Sequence, residues 1–423
     1  MTAPTAAPAR PPWLTLNLVA QFAFGLVAMT ICLPSMQEWP AIFGSSQATV
    51  QLTFSAYVAA YGGLQLLYGP LSDRRGRKVV LMAGLALAFV GSVLAALAPS
   101  LELLIAARAI QGAGSAACMV IGRALVQDLF APGERTRVMA FVGMMLGLCP
   151  PAATLLGGQL HVRLGWQANF VLMAVLALLL MVAAWKGLPA ASARPDPQRS
   201  GGGWSELVSG YRQLARVPAF LAYVAILGMT TATFYTFLAG APVVLGGYGI
   251  PPEHIGWYIM CIPLAYIVGN VLTSRLVGRL GERRIMQAGQ ALTVLGLLIT
   301  LAAGLAGLHS PWALALPLMV LGVGHGLLVP PTLVGTVGLV PALAGSAAAV
   351  AGLMQQLGGS VAGFVVGLVS HQGSVNLALF MLAWALGGVA AQGLLQWLGS
   401  PPGTPAPGGP GRGPADAGRT SSR

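Results

Sequence analysis

Charge is what this chain lacks. Only 8% of its 423 residues are Asp, Glu, Lys or Arg, and just 10 are acidic. So little polar content cannot coat a water-soluble globule of this length, which places the chain in a bilayer. Cysteine is scarce as well. Cys32, Cys118, Cys149 and Cys261 all fall inside apolar runs, with neither metal-ligand spacing nor a secreted disulfide framework, and read as small buried hydrophobes. There is no G-x-x-x-x-G-K-[ST] phosphate loop, so ATP is not expected to drive its activity, and no cofactor is implied. No paired carboxylates, metal-ligand cluster or nucleophile–base pair inside the apolar runs supports an enzyme, and no large soluble sensor domain is present. The N-terminal "MTAPTAAPARPPW" precedes an apolar run too long for a cleaved signal, and the segment is expected to be retained.

What the chain does have is 56% apolar residues, a mean hydropathy of +0.77 and 57 glycines. Stretches of about 20 mostly apolar residues, enough to cross a hydrocarbon core of about 30 Å, recur along it. They predict twelve spans: 13–35, 47–70, 78–98, 101–127, 137–159, 166–187, 217–245, 254–277, 285–307, 311–337, 342–370 and 374–398. Abundant Gly and Ala would weaken soluble helices but permit close packing in lipid, where neighbouring helices re-satisfy groups freed at Pro150 and Pro317. A Pro-, Gly-, Ser- and Arg-rich stretch separates spans six and seven. The expected organisation is an N-terminal tail (1–12), a first six-helix bundle (13–187), a linker (188–216), a second bundle (217–398) and a disordered tail (399–423).

Basic residues gather in alternate connections. Arg74, Arg75, Arg77 and Lys78 follow span two, Arg135 and Arg137 follow span four, Lys186 at its edge and Arg194, Arg199, Arg212 and Arg216 within it mark the linker, and Arg275, Arg279, Arg283 and Arg284 follow span eight. The intervening loops hold only Arg163. The positive-inside rule therefore predicts cytoplasmic termini and linker, so the net charge of +12 reports membrane orientation rather than a nucleic-acid partner.

A shift of 205 residues lays "LSDRRGRK" (71–78) over "LVGRLGER" (276–283), matching Leu71 with Leu276, Arg74 with Arg279, Gly76 with Gly281 and Lys78 with Arg283; Tyr61 falls on Tyr266 at the same offset. This echo, coinciding with the six-plus-six division, points to two homologous bundles of parallel topology. Asp73 meets Gly278, so the second copy keeps basic charge and glycine but not the acid.

The stretch "GPLSDRRGRK" (69–78), placed between spans two and three, resembles the loop signature of the major facilitator superfamily. The segment "RAIQGAGSAA" followed by "IGRALVQDLF" resembles that superfamily's fourth helix and, within its drug:proton antiporter group, the Bcr/CflA-type branch of bicyclomycin and chloramphenicol resistance. "CLPSM", "GMMLGLCPPAATLLGGQL", "LGWQANF", "GAPVVLGGYGI" and "GSAAAVAGLMQQLGG" extend the likeness over nearly all the spans. It implies an all-α membrane protein of twelve transmembrane helices in two pseudo-symmetric six-helix bundles, a monomer in a bacterial inner membrane. It implies export of a drug-like solute in exchange for protons by alternating access. The chain departs from the branch where Thr30 replaces the usual span-one acid and Thr154 a second span-five proline, with Pro151 additional. Without that acid, a metabolite carrier or an exchanger independent of protons stays open; a non-transporting membrane sensor is a remote third reading.

Individual residues carry expectations of differing kinds. Asp73, with Gly69, Arg74, Gly76 and Arg77, is expected to form a conformational latch. Its carboxylate would meet the start of span eleven, near residues 341–346, only while the cytoplasmic face is closed; the plainer alternative is a solvated topogenic loop. Arg108 lies about two turns into span four, where a charge costs at least about 3 kcal/mol on insertion scales. It is therefore expected to face the bundle, in proton relay or substrate electrostatics, or simply bonded to span-one carbonyls. None of the acids falls at the middle of a span, leaving Glu38 or Glu102 at a cavity rim and His325 in span ten as candidate proton acceptors, the plainer alternatives being hydrated interfacial carboxylates and a helix-packing histidine. Tyr57, Tyr61 and Gln65 share one face of span two at i, i+4 and i+8. With Thr30, Gln111, Met144, Thr231, Tyr235 and Met354 they are candidates to line an amphiphilic cavity, or else to bond helix to helix.

Overall fold

The computed structural model describes residues 12–130, 132–188, 204–340, 343–369 and 373–398. The predicted tails, most of the linker, Pro341 and His371 lie outside them. The elements in chain order are α1 (Pro12–Thr30), a 3-10 turn (Pro34–Gln37), α2 (Trp39–Phe43), α3 (Gln47–Arg75), α4 (Arg77–Ala96), α5 (Leu101–Leu129), α6 (Pro132–Leu164) and α7 (Gln167–Gly187). Then come α8 (Trp204–Leu214), α9 (Pro218–Gly247), α10 (Pro252–Ile259), α11 (Cys261–Leu280), α12 (Glu282–Leu305), α13 (Pro311–Gly338), α14 (Ala344–Gly367) and α15 (Ser374–Trp397). Apart from the short α2, α8 and α10, twelve helices run from 19 to 33 residues. At 1.5 Å per residue they are roughly 28 to 50 Å long, enough to span a bilayer.

Ten spans among the described residues are both long and apolar enough to cross a membrane. Helix α3 is long enough but does not reach that apolarity. For α3 the reason is visible in its packing, because Gln51, Thr53, Ser55, Tyr57 and Tyr61 are buried against other helices rather than lipid. The linker differs from expectation in holding α8, whose Gly210 lies against Leu343 and Ser346 at the start of α14. Cys261 departs from the buried state of the other cysteines and is half-exposed.

The sequence repeat has a structural counterpart. α3 stops at Gly76 (φ +92°, ψ 140°) and α11 at Gly281 (φ +79°, ψ 155°), each N–H bonding the carbonyl four residues back before the next helix begins. A Cβ at either site would meet nothing within 4 Å, so backbone conformation alone selects glycine there. The same 205-residue offset relates Gly84 to Gly289 and Gly91 to Gly296. Gly91 touches the α5 backbone at Gln111, and Gly296 touches the α13 backbone at Pro317.

Helices α1 and α3–α7 form one bundle: α5 packs on α1, α3 and α4, α7 on α1 and α4, and α6 on α1. Helices α9 and α11–α15 form the other, with α13 on α11 and α12, α14 and α15 on α9, and α15 on α12. Up-and-down alternation brings the start of α1, the end of α15 and both ends of the linker to one face, the linker end; the other face is the far end.

Candidate functional site

The bundles meet along two seams, α3 against α14 and α6 against α10, and both are closed at the far end. A Cβ on Gly367 would lie 2.7 Å from the Ala48 Cα, and one on Gly158 would lie 2.3 Å from the Pro252 carbonyl oxygen. The Ser360 hydroxyl donates to the Ser55 carbonyl (2.8 Å), and Gln51 Nε2 donates to the Ala239 carbonyl (3.0 Å). Beyond Gly62, which sits on Gln356, contact fades toward the linker end. Gly69 faces open space, Ala348 is exposed and Met354 is 37% exposed. The structure is therefore sealed at the far end and parted at the linker end.

Where the seam begins to open, polar side chains cross between helices. Tyr235 on α9 donates to Gln356 Oε1 on α14 (3.0 Å) and stacks edge-on against Phe54 of α3 (5.8 Å). Gln355 Nε2 donates to the Thr231 hydroxyl (3.2 Å). Gln65 is half-buried, close to Gly352. Of the expected cavity residues, Tyr235, Thr231, Gln65, Met354 and, one step deeper, Tyr61 are thus brought together, while the side chain of Met144 lies outside the described residues. Gln355 and Gln356 were not singled out in the sequence, although two adjacent amides inside an apolar helix are a readable signal.

Thr30, Tyr57 and Gln111 are fully enclosed and line no open space in this conformation. Thr30 donates to the Leu26 carbonyl (3.1 Å) and across to the Pro150 carbonyl of α6 (3.2 Å), which also accepts from Thr154 (2.8 Å). Tyr57 donates to the Gly25 carbonyl (2.8 Å). Arg108 is wholly buried; Nη1 donates to the Ala28 carbonyl (2.7 Å) and to Gln111 Oε1, and Nη2 to the Met29 carbonyl (3.2 Å). These carbonyls belong to the last turn of α1, which has no further helix to accept from. The guanidinium also lies over the Tyr57 ring (4.2 Å), and Gln111 passes the chain on to Ser92 of α4 (2.8 Å). One side chain thus joins α1, α3, α4 and α5.

At the linker end Asp73 is 61% exposed and pairs with Arg77, not with α14. Arg77 also donates to Asp128 Oδ2 at the end of α5 (3.1 Å) and to the Ser72 hydroxyl (2.6 Å). Lys78 caps the C-terminus of α7 through the carbonyls of Trp185 (2.5 Å) and Leu188 (2.8 Å). At the far end Glu38 pairs with His161 Nε2 (3.1 Å), a histidine given no role in the sequence reading. His325 sits on a buried stripe with Leu318, Leu321, Leu328 and Thr332, and makes no ion pair among the described residues.

Two bundles joined along paired seams and open at one end define a polytopic membrane transporter. The chain belongs to the Major Facilitator Superfamily, whose model matches residues 17–363 and again 229–419. It is 30% identical to a chloramphenicol resistance protein of Pseudomonas aeruginosa over 70% of each chain. To multidrug resistance protein D of Escherichia coli it is 28% identical, over 88% of this chain and 93% of that one. The multidrug transporter MdfA of Yersinia pestis is 30% identical over 70% of this chain and 73% of its own. These relatives place the chain in the Bcr/CflA-type branch. The nucleoside transporter NupG shares the fold with a TM-score of 0.73 at 14% identity, covering 92% of this chain and all (100%) of its own. A bacterial homolog of the human lysosomal transporter Spinster, in an inward-facing and occupied conformation, does so at 0.69 and 14% identity, covering 92% of this chain and 97% of its own.

Proposed function

We propose that this protein is a secondary active transporter that exports drug-like small molecules from a bacterial cytoplasm across the inner membrane by alternating access, in exchange for protons. The observation that carries the reading is the cleft between the bundles, sealed by backbone-to-backbone contact at the far end and parted at the linker end. With the basic loops in the cytoplasm, this is the conformation that takes up solute from inside. The bundles, residues 13–187 and 217–398, would rock about the seams as units, with no partner chain required.

Uptake of an uncharged amphenicol into liposomes holding the purified protein tests the reading. Transport should rise when a pH gradient is imposed. Transport indifferent to the gradient would favour the second reading, an exchanger without proton coupling, for which Thr30 bonded to Pro150 in place of an acid is the specific motive.

In the other conformation Asp73 would leave Arg77 and meet the start of α14 as the linker end closes. Asp73→Asn is expected to leave membrane insertion intact, because the basic residues that set topology remain, and to lower transport about tenfold, equivalent to roughly 1.4 kcal/mol of differential stabilisation between conformers. Export assays normalised to the amount of protein in the membrane check this, and wild-type rates would remove the latch.

A further inference from the structure

Helix α5 carries two arginines on its inner side, and only Arg108 is accounted for by its neighbours. Arg123 lies about four turns nearer the linker end and roughly 60° around the helix from Arg108. Next to it, Gly122 packs on Phe22 of α1; a turn earlier, Met119 is buried, and Gly112 on the same arc touches the Tyr57 backbone of α3. Arg123 therefore points into the gap between α1 and α3, about a quarter turn from the outward arc of Ala106, Ala113 and Ala124. It is nevertheless exposed.

Its charge is unpaired among the described residues, and the nearest acid along α5, Asp128, is held by Arg77. Its guanidinium lies within electrostatic reach of the Tyr61 hydroxyl, which is buried without a hydrogen-bond partner. Among the acids whose side chains are described, Glu38, Asp73, Glu102, Asp128, Glu253 and Glu282 all sit at helix ends or connections, and none of them pairs with either arginine. Of the second-bundle spans that meet the first bundle, α9 and α14 contain no Asp, Glu, Lys or Arg, and α11 contributes only the basic Arg275 and Arg279 toward its linker end. A water-filled cleft with lipid-backed walls and uncompensated positive charge concentrates anions and repels cations.

Resting on the reading of the cleft as the solute path, we propose that Arg123 contacts an anionic group of the substrate. The transporter thereby selects amphiphiles carrying one negative charge over lipophilic cations. Tyr61 and, across the seam on α9, Tyr235 supply aromatic surface deeper in the molecule, so the flat body of such a solute would lie toward them with its charge toward the linker end. Guanidinium suits this task because it stays charged and offers a planar fork to carboxylate or sulfonamide oxygens.

The test compares two aromatic probes of similar size, the carboxylate nalidixate and the cation ethidium, binding to the full-length protein in nanodiscs. Wild type should bind nalidixate more tightly, with a preference that shrinks as salt is added. Arg123→Gln should weaken nalidixate about tenfold or more while leaving the thermal midpoint and ethidium binding unchanged. Arg123→Lys should recover part of the loss, and Arg123→Glu should reverse the preference. Tighter ethidium binding by wild type, no binding of nalidixate, or an equal effect of Arg123→Gln on both probes would overturn the assignment. Export of the uncharged amphenicol separates the levels. If that export persists without any charge preference, only the role of Arg123 fails; if it is absent, the export reading fails as well.

Discussion

Arg108→Ala is expected to abolish transport and to lower the thermal stability of the purified protein substantially. The substitution would strip the donors from the Ala28 and Met29 carbonyls and from Gln111 Oε1, all enclosed away from water. Each acceptor left unpaired costs about 1–3 kcal/mol, so the sum rivals the net stability of a typical domain. Arg108→Lys is expected to rescue little. A single ammonium keeps the charge but not the fork that reaches two successive carbonyls and a side-chain amide while lying flat on Tyr57. Thermal unfolding and transport per molecule, measured on both variants, decide the matter. Full recovery by lysine would mean that charge alone is needed, and the joining role described above would be wrong.

Gly158→Leu should drive the protein out of the conformation shown here. A Cβ at this position would sit 2.3 Å from the Pro252 carbonyl oxygen and 2.9 Å from the Glu253 Cα, and backbone on that side cannot swing aside as a side chain could. Overpacking costs about 1–3 kcal/mol or more, enough to invert an equilibrium between conformers a few kcal/mol apart. Spin labels at positions 163 and 254 should move apart at the far end while labels at 75 and 348 approach one another, and transport should fall at least about tenfold. Gly158→Ala, carrying only the Cβ, should shift the same distances by less. Unchanged distance distributions in well-folded protein would show that the seam yields without opening.

Much of this architecture is legible in the sequence. Span number, the glycine turns at 76 and 281 and the inward placement of Arg108 follow from the cost of polar groups in lipid and from helical spacing, which are local properties. Apart from the span-one carbonyls that Arg108 meets, partners were not legible. Nothing near Thr30 in the chain announces the Pro150 carbonyl 120 residues away, nor Glu38 its His161. Such pairs are set by how one helix is rotated against another, and one apolar stripe is compatible with many rotations. Gln355 and Gln356 gave a signal, an amide pair in an apolar run, that was read only as part of a motif. Helix α8 was missed because a Pro- and Gly-rich linker hides an amphipathic turn of chain that needs the start of α14 to rest on.

The polarity of α3 bears on how the protein is made. A helix with Gln51 and Tyr57 on its inner faces gains little by entering lipid alone, because Gln51 finds its acceptor on α9 and Tyr57 on α1. α3 therefore depends on helices synthesised after it. During biogenesis α3 is expected to settle fully only once α9 and α14 are made, since Gln51 donates to the Ala239 carbonyl and Ser360 donates to the Ser55 carbonyl. The side chains that let the two bundles part and rejoin thus also make the second bundle a chaperone for the first.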